Sequence, residues 1–200
     1  TTDANPQNIL ALTFTDSGAT TMRKRLIGLI GTQAYRVRIQ TFHAFCHDVI
    51  SQYPEYFPFG LDSVPASDIQ THSIMEKLLD NPKLTSLRTP GSKYHYLKKI
   101  LSAINTLKSE GITPSRFKEL VQAEVDTFEQ TKGSLSKTAR TKQEGIRAKQ
   151  QELCELYIAY QKELRATGLI DFTDMIVHTV DAIRKNETLR TLLQENLQYI

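Results

Sequence analysis

Twice in its first fifty residues this sequence passes from a short apolar run straight into a helical pattern, and that repeat restricts the fold more than any other feature. "NILALTF", 8–14, comes after Pro6 and reads as a buried strand. Asp16 or Ser17 then caps a helix that runs to about Ile30 and stops at Gly31, with Met22, Leu26, Leu29 and Ile30 as its apolar stripe. "YRVRIQT", 35–41, alternates like a second strand. It feeds directly into "TFHAFCHDVI", 41–50, where Phe42, Phe45, Cys46, Val49, Ile50 and Tyr53 recur at intervals of three and four. Strand, helix, strand, helix is the grammar of a parallel sheet. The expected fold class is therefore mainly α with a small parallel β remnant, the strands at 9–14 and 37–41 being neighbours.

The middle of the chain reads as helical. "PEYFPFGLDSVP", 54–65, is a loop, and Ser67 with Gln70 makes a capping box for a helix to about Leu79. Pro82, Pro90 and Gly91 interrupt the chain after that helix. A helix over 93–110 carries Tyr96, Leu97, Ile100, Leu101, Ile104 and Leu107 on one side. Thr113 and Pro114 form a cap and first turn. Residues 131–145 are polar and give the weakest signal, before an amphipathic helix from about Ile146 to Thr167, with Leu153, Leu156, Tyr157, Tyr160 and Leu164 as its apolar stripe, that Gly168 ends. "GLIDFTDMIVHTVDAI", 168–183, opens another helix with Asp171 at the cap and Asp174 three residues on. The closing "LQYI" reads as a strand beginning. A chain that opens and closes on sheet strands reads as a piece of something larger.

Several function classes are excluded by what the sequence lacks. It has no GxxxxGK[ST] phosphate loop, no GxGxxG, no GxSxG and no HExxH. Its net charge of +3 permits an anionic partner without demanding one. Cys46 and Cys154 have no CxxC neighbour and sit on apolar helical faces, as reduced thiols of a cytoplasmic protein would. No apolar run reaches membrane-spanning length, and no signal-peptide pattern opens the chain. His43 and His47, four apart, share a face as a zinc pair would, yet zinc needs further ligands. Asp171 and Asp174 lie where carboxylates cap amides and offset the helix dipole, which explains them without catalysis.

Three blocks, in order, carry a resemblance. "ILALTFTDSGATTMRKRL", 9–26, resembles motif Ia of the UvrD/Rep family of superfamily 1 DNA helicases, whose pattern is close to ILALTFTNKAAxEMxxRL. "TFHAFCHDVI" resembles that family's motif Ic, and "GLIDFTDMI" its motif Id, GxxDFxDLL. "ILSAINTLKSEGITP", 100–114, is similar to the IxxxKxEGxxP stretch of the family's helical insertion. The resemblance implies a RecA-like motor part at 1–53 and again at 168–200, with a helical insertion at 54–167. It further implies a parent that is an ATP-dependent 3′–5′ DNA helicase using ATP and Mg2+, acting on single-stranded DNA and single–double-strand junctions in repair, replication or recombination. The family's Walker A loop would precede Thr1 and its DExx carboxylates would come after Ile200. No catalytic, ATP, Mg2+ or other metal site is then expected in this stretch. A stand-alone helical DNA-binding or adaptor module without ATPase activity is the alternative, and a small metal enzyme using His43 and His47 is a third reading.

A translocase must grip single-stranded DNA without reading it. Hydroxyls, imidazoles and helix N-termini hold phosphates, and aromatic faces stack any base. Thr13, Phe14 and Thr15 supply both devices where the first strand meets its helix, and Thr41, Phe42 and His43 repeat them at the second junction. By resemblance, Phe172 and Phe14 form pockets for flipped bases, Asp171 and Asp174 set the helix start that aims Phe172, and Lys108 touches a backbone phosphate. The family's Asn-Lys-Ala becomes Asp16, Ser17 and Gly18 here, which puts a negative charge near the expected phosphate path. The basic stretch 137–149 would meet duplex DNA.

Overall fold

The computed structural model describes residues 5–59, 63–88, 91–92 and 94–200. The Pro90 break, the centre of the 54–65 loop and the first residue of the helix expected from 93 lie outside the described residues. The chain divides into two compact units, Thr1–Ser63 with Asp174–Ile200, and Val64–Thr173.

In the first unit, β1 (Leu10–Thr13) and β2 (Arg38–Thr41) pair in parallel, in register from Leu10 opposite Arg38 to Thr13 opposite Thr41. On the other side of β1, the Leu10 N–H donates to the Tyr199 carbonyl at 2.9 Å and the Gln198 N–H to the Asn8 carbonyl at 2.9 Å. The "LQYI" segment thus does begin to pair, in parallel, with β1. β2 is shorter than expected because Gly31–Arg36 form a 3-10 helix that leaves Tyr35 exposed. After β1 comes α1 (Asp16–Ile30), and α2 (Phe42–Gln52) continues from β2 without a break. The core of this unit gathers Val49, Phe57, Ala182 and Leu189, with Phe45, Tyr53 and Phe59 packed around them.

α1 departs from the sequence reading in two ways. Thr15, not Asp16 or Ser17, is its cap, accepting the Gly18 N–H at 3.0 Å. Its apolar stripe is also turned outward: Leu29 is 81% exposed, Ile30 45% and Met22 38%. The inward row holds Ala19, Arg23, Leu26 and Ile27 instead. Arg23 explains the rotation. Its guanidinium donates to the carbonyls of Ala34, Val37 and Ile39 at 3.1, 3.3 and 3.3 Å. Because the Arg38 N–H points to Ile9 on the β1 side, the carbonyls of residues 37 and 39 lie on the outer edge of β2, and Arg23 satisfies that edge.

The second unit is almost wholly helical: α3 (Asp68–Leu79), α4 (Leu97–Ser109), α5 (Pro114–Thr131) and α6 (Lys137–Ala166). Ile74, Met75, Leu79, Ile100, Ile104, Leu156, Tyr157, Tyr160 and Leu164 form its core. The Ser67–Gln70 capping box and the Thr113 cap form as expected. α6 starts nine residues before Ile146, so the polar stretch is helical from Lys137. The Ser136 hydroxyl caps it, Arg140 pairs with Glu144 one turn on, and the Arg147 guanidinium lies 4.1 Å from the Phe128 ring centroid on α5. Further along α6, the Glu152 carboxylate accepts the N–H groups of Thr85, Ser86 and Leu87 at 2.7–2.8 Å, fixing the turn after α3. An unexpected pair of two-residue strands, β3 (Val64–Pro65) and β4 (Leu169–Ile170), joins the two ends of this unit in parallel. Gly168 takes φ +65° to turn from α6 into β4.

α7 (Phe172–Lys185) starts as expected after Asp171. α8 (Glu187–Asn196) has no counterpart in the sequence reading, although Asn186 marks its start. No described helix is long and apolar enough to cross a membrane.

Candidate nucleic-acid interface

The register of β1 and β2 decides the geometry of the first cluster. Thr13 ends one strand directly opposite Thr41 at the end of the other, so the two strand-to-helix junctions stand side by side. Each junction is built alike. Thr15 and Thr41 are extended and cap α1 and α2, accepting the Gly18 N–H at 3.0 Å and the Ala44 N–H at 3.2 Å. A threonine hydroxyl that accepts from an amide keeps its own proton to donate. Phe14 projects from the first junction with 86% of its surface exposed, and its ring centroid lies 5.2 Å from that of Phe42, tilted by 46°. An apolar ring held in water at the end of a strand is not core packing. It offers an open face with a second aromatic behind it. His43 sits half-buried in the first turn of α2. A Cβ on Gly18 would lie 2.5 Å from Thr13 Oγ1 and 3.0 Å from Thr15 Oγ1, so glycine here leaves room for both hydroxyls.

The second cluster lies in the helical unit. Phe172 is 44% exposed and stands at a cleft between α3 and α4, lined also by Thr71, His72, Ser102, Asn105 and Ser109. Asp171 and Asp174, expected as carboxylates at the helix start, are only 5% and 9% exposed. Lys108, expected at a phosphate, is 3% exposed, and its ammonium donates to Asp171 Oδ2. That ammonium also lies 5.1 Å from the centroid of the Tyr160 ring. The reason for the difference is burial: α4 packs the Lys108 side into the core beside Ile104, where a carboxylate is the partner within reach.

Elsewhere, His47 is exposed with Asp48 at 4.0 Å, and no three His, Cys, Asp or Glu side chains converge among the described residues. Cys46 and Cys154 are free and buried. Burial pushes the Cys46 thiol up, which favours the protonated, packed form over a nucleophilic thiolate.

The UvrD/REP helicase N-terminal domain family matches residues 1–200 of this chain. The chain belongs to that family. Among its relatives, the ATP-dependent DNA helicase PcrA of Staphylococcus aureus (strain NCTC 8325 / PS 47) is 24% identical over 198 residues, covering 99% of this chain and 23% of the relative. Probable DNA helicase II homologs of Rickettsia felis and Rickettsia conorii are 27% and 28% identical over 197 residues, covering 98% of this chain and 26% of each. The chain thus spans about a quarter of the length of these curated relatives.

Placed on the UvrD/REP frame, the blocks at 9–26 and 41–50 fall on the two adjacent junctions, and the block at 168–176 falls on Phe172 and its buried support. Two contributors escape the sequence reading. Tyr160 reads there only as part of an apolar stripe, although a tyrosine facing the same core as a lysine is a signal for a cation–π seat. Ser102, Asn105 and Ser109 of α4 carry no motif that singles them out in the sequence. Their spacing of three and four puts them on one face of that helix, and that face lines the cleft beside Phe172.

Proposed function

We propose that this chain is the DNA-binding portion of an ATP-dependent 3′–5′ DNA helicase of the UvrD/REP family, acting in the cytoplasm on single-stranded DNA and single–double-strand junctions. The exposed Phe14, set on a strand-to-helix junction in the family's motif Ia block, is the observation that carries this reading. Phe14 and Phe172 stack bases. Thr13, Thr15 and His43 grip phosphates, Thr41, buried at 8% exposure, holds the start of α2 instead of the phosphate grip expected of it, and Phe42 backs Phe14. With the bounds of the two compact units in place of the 1–53, 54–167 and 168–200 that the resemblance implies, residues 1–63 with 174–200 then belong to a RecA-like motor domain, and 64–173 to the helical insertion.

His43→Ala tests the division of labour. A lost phosphate contact weakens single-strand binding less than a lost stacking ring, and lowers the slope of affinity against salt by about 0.7. Anisotropy titrations of labelled oligo(dT) over a range of NaCl read both quantities, and an unchanged slope removes His43 from the phosphate path.

The described residues do not fit ATP and Mg2+. The N-termini of α1, α2, α3, α5 and α6 are each closed by the hydroxyl of Thr15, Thr41, Ser67, Thr113 or Ser136, not opened by a glycine-rich loop with a lysine after it. Calorimetry of this chain with ATP and magnesium is expected to show no saturable heat. Micromolar binding would mean that the nucleotide site lies inside these residues and that the assignment of the blocks is wrong.

A further inference from the structure

We propose that Lys108 acts on DNA only through Phe172: its buried ion pair with Asp171 is a strut that fixes the start of α7 and hence the direction of the Phe172 ring. The inference rests on the reading of Phe172 as a base-stacking residue, and it replaces a direct phosphate contact by Lys108 with a positioning one.

Three observations carry it. The first is burial on both sides of the pair, with Lys108 at 3% exposure, Asp171 at 5%, and the Tyr160 ring, at 1%, beside the ammonium. A lysine that grips a phosphate must present its ammonium at the surface, and withdrawing this one would separate it from a carboxylate only 5% exposed. The second is anchorage. Lys108 projects from α4, which Leu97, Ile100 and Ile104 root in the core of the helical unit. The third is that Asp171 is held from two directions. Its side chain is held by Lys108, and its preceding residue, Ile170, is fixed by the Ala66 N–H at 2.8 Å across the β3–β4 pair. The next residue is Phe172, 44% exposed and opening on the α3–α4 cleft. A ring that must meet a base face-on gains from being held in one direction before the base arrives.

The test is a thermodynamic cycle on the full 200-residue chain, with labelled oligo(dT) as probe and NaCl varied. Lys108→Met, Phe172→Ala and the double variant are compared, with circular dichroism on each. The expected result is that Lys108→Met weakens binding about threefold or more and leaves the salt slope unchanged, and that the double variant binds no worse than Phe172→Ala alone. Additive losses, with a slope reduced by about 0.7, would instead mark a direct phosphate contact and overturn the proposal. So would unchanged affinity in a folded Lys108→Met chain. If Lys108→Met does not fold, Asp171→Asn replaces it in the cycle. The strut requires this variant to bind more weakly without added effect on Phe172→Ala, whereas a phosphate-seeking lysine released from its carboxylate would bind more tightly with a steeper salt slope. If Phe172→Ala itself leaves affinity intact, the stacking reading fails, and the strut fails with it. That result is distinct from additivity.

Discussion

Replacing Phe14 by alanine is expected to weaken binding of single-stranded DNA by about 5- to 150-fold while leaving the fold intact. Base–aromatic stacking is worth roughly 1–3 kcal/mol per base, which sets that range. The exposure of Phe14, 86%, is what separates this outcome from the cost of a core truncation: little apolar surface is buried there to lose. The ring touches Phe42, so a small loss of local packing is included. Phe172→Ala is expected to weaken binding within the same range, with a larger share of packing because just over half of that residue is covered. Circular dichroism and a titration with oligo(dT) decide the matter together. A folded Phe14→Ala chain with wild-type affinity would remove motif Ia stacking from the mechanism. An unfolded one would contradict the exposed position of the ring.

Glu152→Gln is expected to cost about 2 kcal/mol of stability at neutral pH, because one ionised carboxylate receives three backbone N–H groups from Thr85, Ser86 and Leu87. For a chain of this length that is a fall in Tm of about 4–8 °C. Burial alone would raise the Glu152 carboxyl, but the amides of Ser86, Thr85 and Leu87 together hold it below the usual glutamate range. A lowered folded value means that the stabilisation is complete above the unfolded value of about 4.3 and is lost as pH falls through the folded value. The wild-type chain should therefore lose stability over that acid range, and Glu152→Gln should lose less there. Thermal unfolding of both chains between pH 7 and pH 3 measures this. Parallel curves would show that the carboxylate is not ionised for the benefit of that turn.

How much of this was legible in the sequence depends on whether the signal was local. The Ser67–Gln70 box, the Thr113–Pro114 start and the parallel pairing of the first two strands are written in neighbouring residues, and each was readable. The placement of Phe14 and Phe172 at element junctions was readable for the same reason. What was not legible came from distant partners. The outward stripe of α1 results from Arg23 reaching the carbonyls of β2, a choice of face that periodicity cannot make when Met22 and Arg23 are adjacent. The early start of α6 is the exception, since its Ser136 cap and Arg140–Glu144 pair are local, and a stretch poor in apolar residues masked them. Lys108 looked like a phosphate contact because its carboxylate lies 63 residues away in the sequence. Two-residue strands such as β3 and β4 are too short to carry a pattern at all.

Those two short strands have a consequence for how such a chain can be remodelled. Val64 lies one strand spacing, about 4.8 Å, from its partner Leu169, so the helical unit leaves its host almost where it enters. A host chain closes over such a gap as it would over a tight loop, and the entropy of doing so barely depends on how much protein is hung from it. Residues 64–173 are thus expected to survive as a free polypeptide with cooperative thermal unfolding. By the same geometry, the host can accept a graft of different size, or a short linker, at this doorway without re-registering β1 and β2.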